Sequence, residues 1–160
     1  MMFLNIFFII GVVYCKSVKK DILVTDLKKQ EALNLLTKPV IFNKYLDIVK
    51  ATDIILEPEF EGPYIKFPQK ISYNNFPRVN FFPYTLPKTK IVQLWKRDKN
   101  KFLGSIKCIH IELDIIISIE GNENVKIIFY SEIINKKFYV PDKILDVVIG
   151  DLKGIMKKLI

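Results

Sequence analysis

The sequence predicts an α+β domain: a strand, two short helices, an antiparallel sheet and a long C-terminal helix. Two observations carry most of that. Over residues 105–120 apolar and polar side chains alternate, the period of a strand with one buried face. Over residues 145–159 the apolar positions fall on one helical stripe, entered through Pro141.

Taken in order, residues 21–25 (DILVT) form a short apolar run suited to a strand. Thr25 or Asp26 offers a side-chain oxygen to an early helical N–H, which predicts a helix over 27–37. Ala32, Leu33 and Leu36 share one face of it, and Pro39 stops it. Residues 40–46 predict a second short helix, and 47–57 return to β character. Six of the eight prolines lie in 58–87, with Phe60, Tyr64, Phe67, Tyr73, Phe76, Phe81, Phe82 and Tyr84. Proline cannot donate to a central ladder, so this segment is expected to be irregular. Its aromatics carry too much apolar area to leave in water, so it should pack over an apolar surface.

Strands resume at 90–96, turn at 98–101 and continue through Phe102. In the alternating run Ile109, Ile111, Leu113, Ile115, Ile117 and Ile119 should point inward. Cys108, His110, Glu112, Asp114, Ser118 and Glu120 should face solvent, with Ile116 the exception. Val125, Ile127, Phe129 and Ile133 form a second apolar row. Burying both rows on one side requires odd positions to pair with odd ones. The loop must then be 121–123 or 120–124, and a two-residue turn at Asn122-Glu123 is excluded. In the last helix Leu145, Val148, Leu152, Ile155, Met156 and Leu159 form the stripe. Asp142 near its start and Lys157 and Lys158 near its end follow the helix dipole. Gly150 and Gly154 lie on one side and are expected to let the helix pack tightly on the sheet.

Composition narrows the chemistry. Half the chain is apolar, which excludes a disordered tail, and 160 residues can bury a core. The net charge is +8, supplied by 23 Lys and only Arg78 and Arg97. The lysines are spread along the chain, and arginine is the preferred reader of bases and phosphates, so no nucleic-acid partner is expected. A single histidine excludes a His-pair metal site. Cys108 and His110, two apart on a strand, would point in parallel rather than at each other, a poor nucleophile–base pair. Glu57, Glu59 and Glu61 read as a solvated strand end, and the glycines form no phosphate loop. No catalytic residues, metal or cofactor are expected.

The matching pieces for a family resemblance are DILVTD with KKQEALNLLTKP, then VIFNKYLDIVKATDIILEPE, and KIIFYSEII running into PDKILDVVIGDLKGIMKKLI. Their order resembles the START-like, or helix-grip, superfamily, over most of 21–57 and 105–160. That group includes polyketide cyclases, coenzyme-Q-binding proteins and birch-pollen-allergen-like proteins. The resemblance implies a curved sheet wrapping the last helix, with a cavity between them for an apolar ligand. The proline-rich middle departs from the regular strands of that layout.

Two functions are weighed. The first is a secreted, non-enzymatic domain binding a lipid or other apolar small molecule. Its site would be Ile109, Ile111, Leu113, Ile115, Ile117, Ile127, Phe129, Leu145, Val148, Leu152 and Met156. Lysines around the mouth would favour an anionic head group or membrane surface. The second is a secreted interaction domain with a filled core that uses 58–87 as its surface. Both assume that residues 1–15 (MMFLNIFFIIGVVYC) act as a signal peptide: the run is too short to span a bilayer and has the size of a signal core. Left uncleaved it would be an anchor, with Lys16, Lys19 and Lys20 favouring the cytoplasmic side. The domain proper is then 20–160, with Cys108 its only cysteine. Intact-mass analysis of the exported protein should give an N-terminus at residue 16 or 18; a mass retaining residues 1–15 would contradict cleavage.

Overall fold

The computed structural model describes residues 17–56, 60–75 and 88–160. The run at 1–15 and a large part of 58–87 lie outside them. Strand β1 (Val18–Val24) is followed by helices α1 (Lys29–Leu36) and α2 (Pro39–Ile48). Strand β2 (Thr52–Leu56), a small β3–β4 pair (Phe60–Glu61 and Tyr64–Ile65) and β5 (Gln69–Asn75) come next. Strands β6 (Thr89–Asp98), β7 (Lys101–Lys107), β8 (Ile111–Glu120) and β9 (Lys126–Lys136) lead into α3 (Ile144–Leu159). Seven strands form one antiparallel sheet in the order β1-β9-β8-β7-β6-β5-β2. The first two strands are therefore its opposite edges, and α1 and α2 carry the chain from one to the other. Helix α3 packs in the curve of the sheet against β1, β9 and α2.

The strongest sequence patterns are present. On β8 Ile111, Leu113, Ile115, Ile117 and Ile119 are buried, and opposite them Ile127, Phe129 and Ile133 are buried on β9. Odd positions do pair with odd ones, as in Ile117 with Phe129 and Ile119 with Ile127. The register differs from both expected forms: Glu120 pairs with Lys126, so the loop is 121–125. Its last residue, Val125, is fully buried and held by Thr25, whose N–H and Oγ both donate to the Val125 carbonyl, at 3.1 and 2.8 Å. The Thr25 Oγ also accepts from the Leu27 N–H at 3.2 Å, in a turn that precedes α1 rather than as its cap. The helix starts later, after Lys28, whose N–H donates to the Glu31 carboxylate at 2.8 Å.

Three further expectations are corrected. Residues 105–120 are not one strand: β7 ends at Lys107, and a turn closed by the Cys108 N–H to the Ile111 carbonyl at 2.9 Å leads into β8. The segment 58–87 is not irregular throughout. Between Pro68 and the next proline, Pro77, the chain has room for a regular strand, and β5 buries Gln69, Ile71, Tyr73 and Asn75 while pairing with both β6 and β2. Gly150 and Gly154 do not mark tight packing, because a Cβ at either would meet open space. The stripe of α3 is otherwise as expected, with Ile149 added to it, although Leu159 is only half-buried.

The glycine that matters is Gly104. It faces Trp95 across the β6–β7 ladder, and the indole lies flat over its missing side chain. A Cβ there would sit 2.6–2.8 Å from the ring. The indole in turn meets Phe42 of α2 edge-on, with centroids 6.1 Å apart, so this stack seats α2 on the sheet. Gly104→Ala should therefore cost about 1–3 kcal/mol, the range for overpacking a core, read as a lowered midpoint in urea unfolding. An unchanged midpoint would show that the indole can move aside freely.

Candidate functional site

Across the inner face runs a line of buried polar side chains that the apolar pattern conceals. The indole Nε1 of Trp95 donates to Gln93 Oε1 at 3.0 Å, and Gln93 Nε2 donates to the Tyr73 hydroxyl at 2.8 Å. All three are almost completely buried. Burial pushes the Tyr73 phenol up to about 12, while its hydrogen bonds with Gln93 and Tyr45 pull the other way. The line thus crosses β6 and β5 and reaches α2 through Tyr45. Buried polar groups satisfied in this way fix side chains in one arrangement.

Two cavities lie under the helices. The smaller, about 30 Å³, sits beneath α1 and α2 among Leu36, Phe42, Phe67, Trp95, Phe102, Ile115, Ile117 and Leu152. The larger, about 100 Å³, lies where α2, α3 and the sheet meet. Strands supply Tyr73, Asn75, Thr89, Ile91, Ile111 and Leu113; α2 supplies Tyr45 and Val49; α3 supplies Ile144, Val147, Val148 and Asp151. Tyr45 and Ile106 line both cavities and so stand between them.

His110 also lines the larger cavity, from the β7–β8 turn. Its Nδ1 is 2.5 Å from the Tyr139 hydroxyl, and Nε2 is buried with no hydrogen-bond partner among the described residues. Burial, then the nearby Lys137 charge, holds the imidazole below its ordinary range. This corrects its expected place on a solvated face with Cys108, Glu112 and Asp114. The turn takes His110 and Cys108 out of the strand, and the turn's carbonyl at His110 accepts from the Lys137 N–H at 2.9 Å.

The residues predicted to bind ligand divide three ways. Ile111, Leu113 and Val148 line the larger cavity, and Ile115, Ile117 and Leu152 the smaller. Ile127, Phe129, Leu145 and Met156 are buried and line neither cavity. Ile109 is at the tip of the turn, 66% exposed, because the chain reverses there instead of continuing as strand. Sequence reasoning missed Tyr45, Tyr73, Gln93 and Trp95. Ile91, Gln93 and Trp95 do alternate in sequence, and a polar residue inside an apolar row was the available signal. Among the described residues, no three His, Cys, Asp or Glu side chains converge as a metal site would require.

Absorbance titration tests the burial of Tyr73. One phenol should ionise near pH 12 rather than 10, and Tyr73→Phe should remove that step. Because the folded value lies above the ordinary one, the stability from this group is whole below pH 10 and is lost as pH climbs through 12. Uniform ionisation of all tyrosines near pH 10 in the folded protein would contradict the arrangement.

No family model and no curated protein matches the sequence. Solved structures do match. A START superfamily protein from Mycobacterium smegmatis superposes with a TM-score of 0.55 at 9% identity, over 89% of this chain and 99% of its own. Norcoclaurine synthase from Thalictrum flavum gives 0.53 at 12% identity, over 90% and 88%. Ara h 8.0201 gives 0.52 at 7% identity, over 89% and 99%. Likeness at such identities is likeness of fold, and one of these proteins is by name a synthase, so function has to be argued from the site. With its sheet closed around α3 and two short helices bridging its edges, the chain has the START-like helix-grip fold.

Proposed function

We propose that this protein binds a small apolar ligand in the cavity between α2, α3 and the sheet. The observation that carries this reading is the cavity itself, about 100 Å³ with mostly apolar walls and a few fixed polar groups. Engineered apolar cavities of about 150 Å³ take up benzene, and the space here is smaller, so its occupant is at most one small ring or a short alkyl chain. That narrows the sequence expectation of a lipid. A full acyl chain would need the second cavity as well, which lies beyond Tyr45 and Ile106. Binding rests on removing ligand surface from water, at roughly 25 cal/mol per Å². The apolar run at 1–15 supports an exported protein.

The test is calorimetric titration with benzene, toluene and n-butylbenzene. Wild type should bind the small rings best. Ile106→Ala, which removes part of the partition, should shift the preference toward butylbenzene by about tenfold, since each added methylene buried is worth about 0.8 kcal/mol. Absence of heat and of competition for every ligand in the series would overturn the reading.

A further inference from the structure

We propose that the end of the domain bearing the larger cavity docks on an anionic lipid bilayer through two apolar loop tips, Ile109 and Phe138. Phe138 is 84% exposed and Ile109 66%, and both sit in turns rather than on a sheet face. Phe138 is central to the turn closed by the Val140 N–H to the Lys137 carbonyl at 3.0 Å. Its neighbour Tyr139 turns inward to His110, ring centroids 5.7 Å apart, and the Phe138 ring meets Tyr139 edge-on at 5.4 Å while staying largely in solvent. The two turns are tied together by the Lys137 N–H to His110 carbonyl bond and the contact of His110 Nδ1 with the Tyr139 hydroxyl. They are thus one rigid prow with two apolar points.

The surroundings select the occupant. Lys107, Lys136 and Lys137 line one recess with Ile109 and Glu112, and Lys143 lies further along the chain in a recess with Lys19, Asp142 and Asp146. Lys107 pairs with Glu112 at 3.7 Å and Lys136 with Asp142 at 3.0 Å, while Lys137 and Lys143 have no carboxylate partner among the described residues. Exposed apolar tips ringed by surplus lysines match an interface of buried acyl chain and anionic head group. Cys108, His110 and Ile144 line the larger cavity at this same end, so docking brings that cavity to the bilayer. None of the readouts below requires a ligand in it.

The experiment is co-sedimentation of the full chain with vesicles of phosphatidylcholine, alone or with about one third phosphatidylserine. Wild type should bind the anionic vesicles, less so as salt rises. The Ile109→Ser, Phe138→Ser double variant should bind about tenfold more weakly or worse, and Lys137→Glu with Lys143→Glu should lose the preference for phosphatidylserine. Phe138→Trp reads the tip directly, whatever else in the chain touches the vesicle, because the one native tryptophan, Trp95, is buried. Its emission should shift to the blue when anionic vesicles are added. No shift, or a double variant that pellets like wild type, would overturn the proposal. A blue shift that follows protein concentration without vesicles would also overturn it, and would assign the tips to a protein contact.

Discussion

The structure turns on a mismatch of widths. Seven strands at about 4.8 Å spacing make a sheet roughly 29 Å across, with a continuous apolar inner face. A helix of ordinary girth, 10–12 Å, cannot cover it. The sheet therefore curves around α3, and α1 and α2 close what remains. Each helix must be seated separately. Trp95 over Gly104 and against Phe42 seats α2. Charged contacts seat α3 on the β1 edge: Lys153 with Asp21 at 2.9 Å, Lys19 with Asp146 at 3.1 Å, and Ser17 Oγ with Asp142 at 2.6 Å. The Lys153 hydrogen bond holds the Asp21 carboxyl below its usual range, and Ser17 does the same for Asp142. These pairs are partly solvated and each contributes modestly, so the apolar stripe of α3 carries the energy.

Separately seated covers leave seams, and the cavities are those seams. The larger opens where Tyr45 and Val49 of α2 meet Val147 and Val148 of α3 over the sheet. The buried Trp95–Gln93–Tyr73 line runs from the wall of the smaller cavity to that of the larger, and moving any member would leave a buried polar group unpaired. The space is thus a consequence of how the sheet is covered.

What was legible in the sequence were the elements with one dominant period. Residues 111–133 and the α3 stripe announce their buried faces because one period dominates each; the parity of the β8–β9 pairing follows from it, but the two-residue choice that puts Glu120 opposite Lys126 does not. The break at 108–110 was hidden because Cys108, Ile109 and His110 continue the alternation and include no glycine or proline. A subtler sign was present: inward residues are even on β7 (Phe102, Ile106) and odd on β8 (Ile111, Leu113), and such a change of parity needs a turn. Strand β5 was obscured by counting prolines over thirty positions when the spacing between Pro68 and Pro77 was what mattered. The cavity was legible only in part. Its apolar wall follows from the strand pattern, but its polar members depend on which strands become neighbours, and β5 beside β6 is a tertiary fact.

The decisive property of the seam is whether it receives a ligand. Solution NMR with toluene and methyl-labelled protein addresses that directly. Intermolecular contacts are expected to the methyls of Ile111, Leu113 and Val148, and none to those of Ile127 or Met156. Contacts only to exposed methyls such as Ile109 and Leu94, or none at all, would contradict that expectation.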